Sequence, residues 1–190
     1  MNDKNKPKLL LHACCAPCGG FLALELLKDF TVTAYYDNSN IYPEAEFKKR
    51  LAEARNFFTK NEMDFMAAEY NHDHWLGLIA GLENEPERGK RCILCYYNRL
   101  RSSAEYAKKN NFDFFGSTLA ISPHKNTLVI NNLGRALAKQ ISLPFLAGDW
   151  KKQDGFKKAM EFSHEHNFYR QNYCGCEFTR WNRTRPKFLL

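Results

Sequence analysis

The chain has 190 residues, 44% of them apolar, with 15 Phe, seven Cys and a formal charge of +7 from 28 Lys and Arg against 21 Asp and Glu. A domain of this size can bury a full core without crosslinks, so the cysteines call for a chemical explanation. No run approaches the ~18 apolar residues of a membrane span, and the basic balance favours a polyanionic partner such as nucleic acid, with no membrane partner.

The basic start, Met1 to Lys8, leads into Leu9-Leu10-Leu11-His12-Ala13, which reads as a short buried strand. This start loosely resembles a lipoprotein signal, but its apolar run is far shorter than the ~7–15 residues that a signal peptide requires. A cytoplasmic protein is therefore expected, in which thiols stay reduced and clustered cysteines read as metal or redox sites. A Cys/Pro/Gly loop follows, then a helix around Phe21–Lys28 and a strand over Phe30–Tyr36. After the turn Asp37–Asn40, Pro43 is suited to the first position of a helix running from Glu44 to Asn61, with Phe47, Leu51 and Ala54 on its inner face.

Asp64–Glu69 reads as a strand, His72–Leu82 as a helix, Glu83–Lys90 as a charged loop and Cys92–Lys109 as a helix. Phe112–Ala120 reads as a strand, broken at Ser122-Pro123 before a helix over Leu128–Gln140. A short strand, Leu143–Leu146, and a helix, Lys157–His166, precede the segment Tyr169–Cys176. Strands alternating with helices imply a single α/β domain over residues 1–190, its largely parallel sheet flanked by helices in a Rossmann-like or HUP-like arrangement. Residues 1–8 and 182–190 are expected to be flexible. The tail cations Arg180, Arg183, Arg185 and Lys187 suit phosphates as well as they suit a loose terminus. Sites in open α/β sheets gather at the carboxyl ends of strands, which is where the first cysteine group falls.

The cysteines form three groups: Cys14, Cys15 and Cys18; Cys92 and Cys95; Cys174 and Cys176. Cys15-Ala-Pro-Cys18 and Cys92-Ile-Leu-Cys95 each space two thiols so that one metal centre can take both. Spacing leaves three readings open: a structural zinc, a thioredoxin-like thiol exchanger at Cys15 and Cys18, and an iron-sulfur cluster on four of the seven. Cys174-Gly175-Cys176 can oxidise to a strained, readily reduced disulfide, or can supply metal ligands.

An ordered set of segments resembles the cobalamin-independent epoxyqueuosine reductases, which complete queuosine in tRNA. It comprises His12-Ala13-Cys14-Cys15-Ala16-Pro17-Cys18, Asn40-Ile41-Tyr42-Pro43 with Glu46 and Arg50, and Arg91-Cys92 to Cys95-Tyr96 with Arg99-Leu100. It continues through Ser117-Thr118-Leu119, Ser122-Pro123 with Lys125-Asn126, and Tyr169 to Cys176. The resemblance implies a [4Fe-4S] cluster on Cys14, Cys15, Cys92 and Cys95, a redox-active pair at Cys174 and Cys176, and no cobalamin. It also suggests a second metal, an additional iron ion, with Cys18 as a ligand. Ser39 stands where the family usually has Pro, and Asp37 replaces an Asn in the same stretch.

The implied reaction removes the epoxide oxygen of epoxyqueuosine as water, which takes two electrons from a separate electron donor and two protons. His12, Asp37 and Tyr173 are candidate acids by position in the motifs, and Lys125 and Arg170 are candidate phosphate or ribose contacts. Tyr96 and Tyr169 are candidates to stack on an extruded base. The competing expectation is an RNA-binding protein stabilised by zinc or acting by thiol-disulfide exchange.

Overall fold

The computed structural model describes residues 6–179, which places the four tail cations outside it. In chain order the strands are β1 (Lys8–His12), β2 (Thr31–Tyr36), β3 (Asp64–Ala67), β4 (Phe114–Ser117) and β5 (Phe145–Leu146). The helices are α1 (Ala16–Leu26), α2 (Glu44–Lys60), α3 (His72–Leu78), α4 (Lys90–Lys109), α5 (Thr127–Ile141) and α6 (Gly155–Glu165). All strand pairs are parallel, in the order β3-β2-β1-β4-β5. The alternation of the sequence thus yields the α/β sheet that it implied, wholly parallel where a largely parallel one is expected.

β1 is the central strand, and its Leu9, Leu10 and Leu11 are wholly buried, as a sheet covered on both faces demands. Leu9 and Leu11 pack with Leu22 and Leu26 of α1 and Phe57 and Phe58 of α2. Leu10 packs on the opposite face with Tyr96 and Leu100 of α4 and Ile130 and Leu137 of α5. Because side chains alternate along a strand, His12 shares the Leu10 face and points toward α4.

Several boundaries differ from the sequence expectation. α1 starts at Ala16 rather than Phe21: Cys15 is an extended N-cap, and Pro17 occupies the first turn, where its missing N–H costs nothing. Gly19 and Gly20 are helical because α1 sits close against its neighbours; a Cβ on Gly20 would lie 2.6 Å from a ring carbon of Phe57. Pro43 caps α2 instead of opening it, and the His72 helix stops at Leu78. The expected strand Phe112–Ala120 shrinks to Phe114–Ser117, after which Thr118–Ile121 forms a buried 3₁₀ turn. Lys8, expected to be flexible, belongs to β1, and its N–H donates to Asp113 Oδ2 at 2.7 Å.

Candidate metal centre and substrate cavity

The strand order reverses between β1 and β4, and a crevice forms outside their carboxyl ends, the usual ligand position in such sheets. β1 leads into Cys14 and Cys15, while β4 leads through the 3₁₀ turn to the loop 122–126. Between them lies a cavity of about 200 Å³ whose walls include Cys14, Cys18, Lys125, Arg170, Tyr173 and Cys174.

Two helix starts present the thiols. Cys15 caps α1 and Cys18 lies in its first turn; Cys92 lies in the first turn of α4, with Cys95 three residues on and on the same face. The positive ends of both helices favour sulfur as thiolate. Cys14 packs against both the apolar cluster that holds Cys92 and the one that holds Cys15 and Cys18. The sulfurs of Cys14 and Cys15 are 3.7 Å apart. Three sulfurs already accept hydrogen bonds: Cys14 from Thr118 Oγ1 at 3.8 Å, Cys15 from Gln171 Nε2 at 3.5 Å, and Cys92 from the Arg88 N–H at 3.3 Å. Among the described residues no three His, Cys, Asp or Glu side chains gather as a single-ion cradle.

Behind the thiols sits Arg99, 3% exposed, donating from Nε to His12 Nε2 at 3.3 Å and from Nη2 to Asn38 Oδ1. Burial opposes its charge, but Cys95, Cys14 and Cys174 around it raise its pKa. Lys125 is held the same way: burial disfavours its ammonium, and Cys174 and Cys14 outweigh that. Burial pushes the Cys95 thiol up to about 12 and raises Cys92 as well. Cys14 is raised by its hydrogen bond with Cys15 and then by burial. Cys15 is relieved by that bond, yet its bond with Cys18 and burial push it up to about 11.

Bare thiols of this kind are poor nucleophiles for disulfide exchange. The cations around the cavity leave these thiols raised, and a positively charged metal group would supply the missing charge. The donor set therefore fits a thiolate-ligated iron-sulfur group.

Several expected site residues lie elsewhere. His12 is fully buried beneath the cavity, with Nδ1 at 3.1 Å from Ser117 Oγ and Nε2 at 3.0 Å from Asp37 O. Burial, then the Arg99 charge, lowers its pKa to about 3. Asp37 is buried on the same side, its pKa raised by burial, and it too is absent from the cavity wall. Tyr169 is a strut on α2: its N–H donates to Glu53 at 2.7 Å, its hydroxyl to Glu46 at 3.1 Å, and Lys49 Nζ sits 3.3 Å from its ring centre. Tyr96 is buried in the α4 core. The aromatic walls of the cavity are Tyr173 and Phe156 instead. Lys125 and Arg170 both line the cavity.

The two late cysteines diverge. Cys174 faces the cavity, whereas Cys176 packs with Trp75, Ile79 and Cys95 and lies 3.4 Å from Thr179 Oγ1. Both are free thiols. The backbone between them is pinned: Arg50 Nη1 donates to Cys174 O at 3.2 Å, the Tyr42 N–H donates to Gly175 O at 2.9 Å, and the Tyr173 hydroxyl donates to Tyr42 O at 2.6 Å.

Gly175 has φ +145°, and a Cβ there would lie 3.0 Å from Ile41 Cγ1 and 3.1 Å from Asn40 Nδ2. Gly175→Ala is therefore expected to cost about 1–3 kcal/mol in backbone strain alone. In a domain of this size that lowers Tm by roughly 2–12 °C in a thermal melt. An unchanged Tm would mean that this segment is not held as described.

The molecule is an α/β protein with a thiol-lined, cation-backed cavity at the reversal point of a doubly wound sheet. Its sequence matches the family profile described as epoxyqueuosine reductase QueH over residues 9–182. The chain belongs to the QueH family of epoxyqueuosine reductases. It is 39% identical over 180 residues to epoxyqueuosine reductase QueH of Streptococcus pyogenes, covering 91% of this chain and 70% of that protein. It is 38% identical over 177 residues to the QueH of Acinetobacter baylyi, covering 92% and 81%. Among solved structures it resembles the U34-tRNA thiolase NcsA from Methanococcus maripaludis, solved with its [4Fe-4S] cluster. That likeness has a TM-score of 0.53 at 13% identity over 92% of this chain and 62% of that one, which bears on the fold alone.

Proposed function

We propose that this protein reduces epoxyqueuosine to queuosine in tRNA, in the cytoplasm, with a [4Fe-4S] cluster held by Cys14, Cys15, Cys92 and Cys95. The observation that carries the reading is the convergence of Cys14, Cys18 and Cys174 on one cavity flanked by Lys125 and Arg170, with Cys92 and Cys95 of α4 within electrostatic reach of Cys174. The reaction breaks both C–O bonds of the epoxide, takes up two electrons and two protons, and leaves an alkene and water. When bound, the cluster supplies electrons one at a time, and an additional iron with Cys18 among its ligands supplies Lewis acidity.

The chain's own residues do the rest. Lys125 and Arg170 place positive charge at the cavity for phosphate or developing oxyanion, and Tyr173 gives an aromatic wall for the extruded base. Arg99 holds a buried positive charge behind the sulfurs. Cys174 and Cys176 pass electrons inward from an external donor protein, with Cys174 on the cavity side and Cys176 beside Cys95.

The direct test incubates anaerobically purified, reduced protein with tRNA carrying epoxyqueuosine and follows the nucleosides by mass. Queuosine is the expected product; unchanged epoxyqueuosine with fully loaded, reduced protein would end the reading. A brown protein absorbing near ~400 nm is expected, whereas zinc as the only metal would favour a zinc-stabilised RNA-binding protein. Lys125→Ala should keep its iron and weaken tRNA binding by roughly tenfold, the scale of one charge-assisted hydrogen bond. Lost iron in that variant would move Lys125 from the substrate to the metal side.

A further inference from the structure

Arg88, in the loop between α3 and α4, is exposed and has φ +73°, a left-handed conformation that residues with a Cβ adopt at a cost. Both its main chain and its side chain are engaged. Its N–H donates to the sulfur of Cys92 at 3.3 Å, closing the first turn of α4. The guanidinium turns the other way, donating from Nε to His124 O at 3.0 Å and from Nη2 to Pro123 O at 3.2 Å. Those carbonyls immediately precede Lys125, whose own N–H bonds Ser122 O at 3.2 Å and whose carbonyl takes the Lys151 ammonium at 3.2 Å. Three successive carbonyls of the Lys125 loop are thus held by cations from two other segments.

We propose that Arg88 is a positioning residue: it sets Lys125 at a fixed place relative to the Cys92 sulfur and acts on tRNA recognition only through Lys125. A planar fork suits this task, since it can hold two neighbouring carbonyls at once where an ammonium offers a single point. The left-handed backbone has a reason in the same geometry, because one residue then faces its N–H toward α4 and its side chain toward α5. The inference rests on the reading of Lys125 as an RNA contact.

The test is a double-mutant cycle read by binding, without turnover, on anaerobically purified, cluster-loaded protein and tRNA carrying epoxyqueuosine. Arg88→Ala and Lys125→Ala should each raise Kd by about tenfold, and the double variant should lie within about twofold of Lys125→Ala. A double variant weakened by the product of the two single effects would overturn the proposal, since Arg88 would then contact RNA itself. Hydrogen exchange on the protein alone gives a readout that needs no substrate. The peptide spanning residues 122–126 should exchange at least ~5-fold faster in Arg88→Ala, with the β1 peptide unchanged.

Exchange at the wild-type rate would overturn the proposal whatever the tRNA does. Faster exchange with no tRNA binding even by the unaltered protein would sink the tRNA reading and leave Arg88 as the clamp of Lys125. Arg88→Gly relieves the backbone strain and removes the same clamp, so it should reproduce the Arg88→Ala binding loss without a lower Tm. A binding loss confined to variants that melt early would overturn the assignment in favour of general destabilisation.

Discussion

Cys14→Ala is expected to yield colourless protein with roughly a tenth or less of the wild-type iron, and no detectable queuosine formation, because cluster affinity depends on a full set of four thiolates. The Cys14 sulfur is 3.7 Å from that of Cys15, and Cys14 packs against the apolar cluster that includes Cys92. Removing it severs the α1 side from the α4 side. The fold should survive: the residue is only half-buried, and losing one sulfur costs about 1 kcal/mol of burial, or roughly 2–4 °C in Tm. Iron analysis, the ~400 nm band and a melt on the same sample separate loss of the centre from loss of the protein. A brown, iron-replete variant would strike Cys14 from the ligands.

Arg99→Met is expected to act on stability and electron transfer together. The change leaves Asn38 Oδ1 without its donor in a fully buried place. That unsatisfied acceptor, at about 1–3 kcal/mol, lowers Tm by roughly 2–12 °C. The lost charge sat among Cys95, Cys14 and Cys174, so adding an electron there becomes harder, and the midpoint potential should fall by roughly 50–100 mV. Arg99→Lys separates the two effects: it returns the charge and with it most of the potential, but an ammonium does not reproduce the planar fork that reaches Asn38 Oδ1, so Tm stays low. A potential unmoved in Arg99→Met would show that the guanidinium is a packing element only.

The parts of the site that were legible in the sequence were those whose chemistry is local. Three consecutive leucines marked the central strand, and the two Cys-x-x-Cys spacings needed only a helix start to direct both thiols one way. Lys125 and Arg170 were found by motif, and both reach the cavity. The place of His12 was legible in its strand: alternation sets it on the Leu10 face, toward Arg99. The docking of Tyr169 on α2 is not legible in the sequence. Glu46 and Glu53 are spaced to share one face of α2, but nothing local says that a residue more than a hundred positions later docks there. Arg88 escaped notice for the same reason, since its partners are carbonyls, which carry no sequence signal.

Helices α1 and α4 clothe opposite sides of the sheet, and each sends its cysteines past the same strand end. A cofactor gripped from both sides is then a rivet through the rim of the molecule, binding outer layers that the strands otherwise keep apart. Were a cluster bound there as proposed, its loading would double as mechanical fastening: the filled protein would resist heat and proteases better than the stripped one, and the cavity mouth would be the first place to gape on stripping.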